Sequence, residues 1–203
     1  MAELINIPAS RLEETASRLA EYLSDYPLIY KVVSDPDRRH LILKFFFTDE
    51  LLRLYKDDEF FTTDPDLSCI IICCKVYEIA SKDTRSMLSK HMRGALYFNE
   101  RRIIDAVVNN LHSFISSLEV PADTEFFYFM GSKNGVADMP VLEDMIKKIL
   151  NRNDNSGRST VLFTAKQDRM ALYKSFGFED LKSIVDAKKG FEVKVMIHRP
   201  AKD

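Results

Sequence analysis

TEFFYFMGSKNGVADMPVLEDMIKKILNRN, residues 124 to 153, passes from an aromatic strand-like run through a glycine-bearing turn into an amphipathic helix-like run. Gly131 and Gly135 lie in the turn, Asp138 stands before the helix as a natural N-cap, and Pro140 is at home in a first helical turn. A polar stretch with Gly157 leads to STVLFTA, a second strand. Strand, helix and strand in this order predict a right-handed parallel crossover. A strand, a glycine-bearing turn and a helix N-terminus also form a common anion-binding arrangement. Here an aspartate occupies the place the anion would take.

Working outward, ELINIP reads as a short edge strand and Ser10 to about Leu23 as a helix. Ser10 can cap it, with Glu13 three residues on, and Leu12, Ala16, Leu19, Ala20 and Leu23 share one face. A second helix starts after Asp35-Pro36 and runs to about Tyr55. EFFTTD and LSCIIICCKVY read as strands joined by the turn-like DPD. Residues 79 to 118 read as a helical insert, broken near Gly94 or Asn99. After STVLFTA come a short helix, KQDRMALYKSFG, and a hairpin of FEDLKSIVDA and GFEVKVMIHR turned at Lys188-Lys189-Gly190. The fold class is therefore α/β (mixed α+β). We expect a mostly antiparallel sheet of about six to seven strands, flanked by helices, with one parallel crossover. The whole chain, 1–203, reads as a single domain.

The composition is that of a globular protein with a sizeable core: 46% hydrophobic and 30% charged residues. A net charge of -2 gives no global basic field, so neither nucleic acid nor an anionic membrane is an expected partner. No apolar run approaches the ~20 residues of a membrane helix, and MAELINIPASRLEE lacks the regions of a secretory signal, so a cytoplasmic location is the expectation. Cys69, Cys73 and Cys74 lie in one β-branched run. On a strand, Cys69 and Cys73 share a face about 13 Å apart and Cys74 points the other way. That spacing closes no zinc site, and no metal is expected. The four histidines form no ligand spacing, and no G-x-S-x-G, H-E-x-x-H or Walker loop occurs.

LYKSFGF, Leu172 to Phe178, is the most specific string. With STVLFTAKQDRMA before it, it resembles the end of the GNAT superfamily of acyl-CoA-dependent N-acyltransferases. DYPLIYKVVSDPDRRHLILKFF is similar to the family's N-terminal helical region, and the element order fits nearly the whole chain. The family's cofactor motif, L-x-V-x-P-x-x-Q/R-G-x-G-x-G/A, then falls on the opening stretch. Phe127 and Phe129 take the apolar strand positions and Gly131 the proline. Asn134 falls on Gln/Arg, Gly135 on the first glycine, Ala137 on the second and Met139 on the third. On this resemblance the loop reads as a degraded form of the family's pyrophosphate-binding motif.

The resemblance implies an N-acetyltransferase. Acetyl-CoA, or another acyl-CoA, is its co-substrate, and a small-molecule or peptide amine attacks the thioester directly. Tyr173 holds the family's tyrosine position, the general acid for the thiolate. Met130 would supply the oxyanion N–H, and Phe129 and Gly131 the main-chain contacts to the pantetheine arm. Lys133, Asn134, Gly135, Val136, Ala137, Asp138 and Met139 would surround the pyrophosphate, and Arg169 falls where relatives carry a cofactor-contacting asparagine. Glu125 and Glu78 are candidate bases outside any obligatory family position. Asp138 would repel a phosphate at short range and Met139 would crowd it. Those two residues favour the alternative, a catalytically silent GNAT-like domain that binds a ligand or a protein. The acceptor is not readable, and the protein is a monomer or a homodimer.

Overall fold

The computed structural model describes residues 3–25, 33–57, 59–80, 97, 113–165, 167–186 and 191–200. Its centre is a seven-stranded sheet. The strands are β1 (Ile5–Asn6), β2 (Phe60–Thr62), β3 (Cys69–Lys75), β4 (Glu125–Ser132), β5 (Thr160–Thr164), β6 (Glu179–Asp186) and β7 (Phe191–His198). Their spatial order is β1-β2-β3-β4-β5-β7-β6, and β4–β5 is the parallel pair. The helices are α1 (Leu12–Tyr22), α2 (Pro36–Leu54), α3 (Val76–Ala80), α4 (Met139–Asn155) and α5 (Gln167–Ser175). The expected mixed sheet and its single parallel crossover through α4 are thus observed. The 79–118 insert lies largely outside the described residues, as does the Lys188-Lys189-Gly190 turn.

Alternation along the strands divides the core between the two faces of the sheet. Ile70, Ile72, Cys74, Phe126 and Val161 pack with Leu19 of α1 and Leu43, Phe47 and Leu51 of α2. Cys69, Ile71, Cys73, Phe127 and Leu162 pack with Leu142, Ile146 and Ile149 of α4 and with Tyr173 of α5. Cys69 and Cys73 therefore share a face and Cys74 lies on the other. All three thiols are free and buried.

Local chemistry explains the helix starts, with one correction. Asp35 caps α2, its carboxylate accepting from Arg38 N–H at 3.0 Å, with Pro36 in the first turn. Ser10, in contrast, lies inside a 3-10 turn, Ala9–Arg11. The cap position of α1 falls on Arg11, without a side-chain cap bond. The extra turn moves the serine out of register for the capping geometry that its spacing from Glu13 suggested.

One close approach fixes α1 against the sheet. A Cβ at Gly131 would stand 3.1 Å from Cβ of Tyr22 and 3.5 Å from Cδ2 of Leu19. Glycine is needed here because a helix crosses the end of β4 at near contact.

Candidate active site

The site is built where β4 and β5 part. They pair from Glu125↔Thr160 to Phe127↔Leu162, and there the pairing ends. Beyond it, β4 continues to Ser132 beside β3, while Phe163 and Thr164 of β5 pair with β7. On the β3 side, Ile72 pairs with Phe129 and Cys73 with Phe127, so Tyr128 is an extra residue in β4. Such a bulge bends its strand and increases the local twist, which turns β4 away from β5. The open edge leads into the glycine-bearing turn and the start of α4.

The turn is ordered by its own side chains. Asp138 does not cap α4: its carboxylate makes no side-chain cap bond to the helix. It reaches back instead, accepting from the Asn134 backbone N–H at 2.8 Å and from Asn134 Nδ2 at 3.1 Å. Residues Gly135–Asp138 form a 3-10 turn, and that turn aims the carboxylate at the loop rather than along the helix. Gly135 has φ +55°, a left-handed conformation glycine adopts without strain, and a Cβ added there would meet open space. Val136 lies in the same turn, and Lys133, Asn134 and Ala137 are exposed. Ser132 Oγ donates to Gly135 O at 3.2 Å, and Lys133 N–H donates to Ser68 O at 2.8 Å.

Met139 does not stand over the turn unsupported. It packs, half-buried, on the α4-side core, as does Met130. Phe129 faces the other side, with its ring edge-on to Phe47 at 4.9 Å and to Phe46 at 5.9 Å. Two acidic residues act on the thiol beside the loop. Burial, then Asp138, then Asp64, push the Cys69 thiol up to about 11.

Tyr173 is 2% exposed and packs edge-on against Phe178 at 6.1 Å, in the core cluster that Met130 and Met139 flank. Arg169 lies half-buried one turn earlier on α5. The geometry thus brings the loop, Met130 and Met139 together at one end of β4, with Tyr173 in the same core cluster.

Glu125 is placed elsewhere. It is fully buried at the opposite end of β4, about 20 Å along the strand from Gly131. Lys75, Arg152 and Arg158 all pair with it, Arg158 at 3.3 Å. A carboxylate so engaged ties β3, α4 and the α4–β5 turn together, and it does not face the opening. Glu78 serves the start of α3, accepting from Lys75 N–H at 2.7 Å, and pairs with Lys56. Neither candidate base belongs to the site.

Two polar residues that the sequence did not single out meet at the bulge. Tyr128, the bulge residue, donates its hydroxyl to Glu50 Oε2 at 3.0 Å. Glu50 is 1% exposed and is held by Arg53, whose Nη2 lies 2.6 Å from the same oxygen. The signal was a charge on an apolar stripe: Leu43, Phe47, Glu50, Leu51 and Leu54 recur at helical spacing. Among the described residues no group of His, Cys, Asp and Glu is arranged to hold a metal ion, and no helix is long and apolar enough to cross a membrane.

No protein-family model and no curated protein sequence matches the chain. Solved structures do match. One is described as histone acetyltransferase HPA2 and related acetyltransferase from Corynebacterium glutamicum, with a TM-score of 0.64 and 12% identity over 100% of this chain and 99% of that one. A second is a putative arylalkylamine N-acetyltransferase 7 from the yellow fever mosquito, with a TM-score of 0.64 and 11% identity over 97% of this chain and 86% of that one. A third is a Drosophila melanogaster polyamine N-acetyltransferase, with a TM-score of 0.62 and 9% identity over 98% and 100%. These likenesses define the class by its fold: the chain has the GNAT-type N-acetyltransferase fold.

Proposed function

We propose that the protein is an N-acyltransferase that moves an acetyl group from acetyl-CoA to a small amine. The observation that carries this reading is the parting of β4 and β5 after Phe127 and Leu162, with the Tyr128 bulge beside it and the Gly135 turn beyond. The opening leaves strand backbone where a substrate could add its own hydrogen bonds without unpairing the sheet. The matched solved structures include enzymes named for amine substrates, arylalkylamines and polyamines among them.

In this reading acetyl-CoA supplies an activated thioester carbonyl. The main chain of Phe129, Met130 and Gly131 lines its path, with the Met130 N–H placed to stabilise the oxyanion. Lys133 to Ala137 hold the pyrophosphate at the start of α4, and Lys133 contributes charge. Asp138 must yield the Asn134 N–H for that to occur. Met139 stays on the core. Arg169 lies one turn from Tyr173, within reach of a phosphate. Tyr173 protonates the leaving thiolate.

Release of CoA thiol in the presence of a panel of amines tests the reading. We expect amine-dependent release, and Tyr173→Phe should lower kcat by about 10²-fold with little change in the KM for acetyl-CoA. Saturable acetyl-CoA binding without release for any amine would instead support a silent binding domain. The Asp138–Asn134 contact favours that second reading, because it occupies a loop donor that a phosphate would use.

A further inference from the structure

We propose that Asn134 is a modification site: the Asn134–Gly135 pair closes to a succinimide, opens to aspartate and isoaspartate, and so turns the loop against a phosphate. The chemistry stands on the turn alone, and its consequence for acetyl-CoA rests on the acyl-transfer reading.

Asn134–Gly135 is the one asparagine–glycine pair in the sequence. In the reaction the Gly135 backbone nitrogen bonds to Cγ of Asn134 as the Cγ–Nδ2 bond breaks. Ammonia leaves, carrying the proton that the backbone nitrogen gave up. A five-membered succinimide remains, and water adds to either of its carbonyls. Opening at Cγ gives aspartate. Opening at the main-chain carbonyl gives isoaspartate, with the side-chain carbon now part of the main chain. One amide and one water become one acid and one ammonia, with no oxidant or reductant. Base promotes the reaction, because the nitrogen attacks without its proton.

The turn provides what this chemistry needs. Asn134 and Gly135 are exposed, so water reaches both. Gly135 has no Cβ to crowd the attack, and a Cβ placed there would find nothing within 4 Å. No backbone acceptor among the described residues takes the Gly135 N–H. Asn134 is held through its own N–H and its Nδ2, both by the Asp138 carboxylate. Rotation of that one half-buried side chain frees the amide. Asn155 supplies the contrast within the molecule. It is exposed as well, but it ends α4, and the residue after it is Ser156. Ser156 carries a Cβ, and its N–H donates to Asn153 O at 3.1 Å.

The product reverses the character of the turn. Asn134 Nδ2 donates to Asp138 Oδ1 at 3.1 Å. A carboxylate oxygen in place of Nδ2 brings two negative charges to that distance, with no proton between them. The contact opens, and the turn gains a negative charge where the pyrophosphate would lie. Isoaspartate also lengthens the main chain before Gly135 and displaces the N–H groups of the turn. Fresh protein is then the form that binds acetyl-CoA, and aged protein the silent one.

The test is peptide mass mapping of purified wild-type protein incubated warm at pH 8, with acetyl-CoA affinity measured by calorimetry before and after. Asn134 should convert ahead of Asn155, and more slowly in a mildly acidic buffer. Aged protein should lose at least about tenfold in acetyl-CoA affinity, and Asn134→Asp should show that loss without incubation. Asn134→Gln, whose longer side chain cannot close the five-membered ring, should keep through incubation the affinity it starts with. An Asn134 that stays intact, or a converted chain that binds acetyl-CoA as the fresh one does, would overturn the inference. A chain that converts Asn134 but binds no acetyl-CoA when fresh would keep the modification site and remove the transferase reading.

Discussion

The two ends of β4 put an acidic side chain to opposite uses. At the paired end, Glu125 is fully buried and three cations from β3, α4 and the following turn converge on it. At the open end, Asp138 is half-buried and, among the described residues, its hydrogen bonds go to the backbone and side chain of Asn134. The first carboxylate fastens elements that are far apart in sequence. The second shapes a loop of a few residues that it can release. Strength of engagement therefore separates the fastened end of β4 from the turn beyond its open end.

The largest expected effect breaks the fastened end. Glu125→Ala leaves three cations around a vacated buried position and should lower unfolding free energy by about 3–5 kcal/mol, read by urea denaturation. A loss under about 1 kcal/mol would mean that the cluster is solvated and the contrast false. Next is Gly131→Val, which forces α1 away from β4 at the Tyr22 contact and should cost about 1–3 kcal/mol.

At the open end the expectation reverses. Asp138→Gly should change stability by no more than about 1 kcal/mol while tightening acetyl-CoA binding, an effect that shrinks as salt is raised. Unchanged affinity would move the pyrophosphate away from this turn. The smallest effect concerns the thiols between the two ends. Burial pushes Cys73 and Cys74 well above the ordinary thiol range and Cys69 to about 11, so the thiolate is scarce at pH 8. Native protein should resist a thiol-reactive chromogenic disulfide at that pH and react fully once unfolded. Rapid native labelling would show that β3 is not enclosed on both faces.

Much of the fold was legible because its signals are local. Asp35-Pro36 announces a helix start within one turn, and the faces of Cys69, Cys73 and Cys74 follow from the period of a strand. The strand–turn–helix–strand succession from Glu125 to Thr164 requires only sequential neighbours. What failed depends on register or on distant partners. Ser10 and Asp138 both have good capping chemistry, but a 3-10 turn displaces each from the capping geometry. The cations that claim Glu125 come from residues 27 to 50 positions away, beyond any local pattern. The Glu50–Tyr128 bond spans 78 positions, and only the misplaced charge on the α2 stripe hinted at it.

The central claim is that the open end of β4 receives an acyl-CoA. Its most direct test is the melting temperature of the wild-type chain across an acetyl-CoA titration, with Gly135→Trp alongside. Bound ligand must raise the transition by mass action. The expected result is a saturable rise for the wild type that is weakened or lost in Gly135→Trp, whose side chain would fill the open space over the turn. No rise at millimolar acetyl-CoA would contradict the claim, as would a rise that is identical in both proteins.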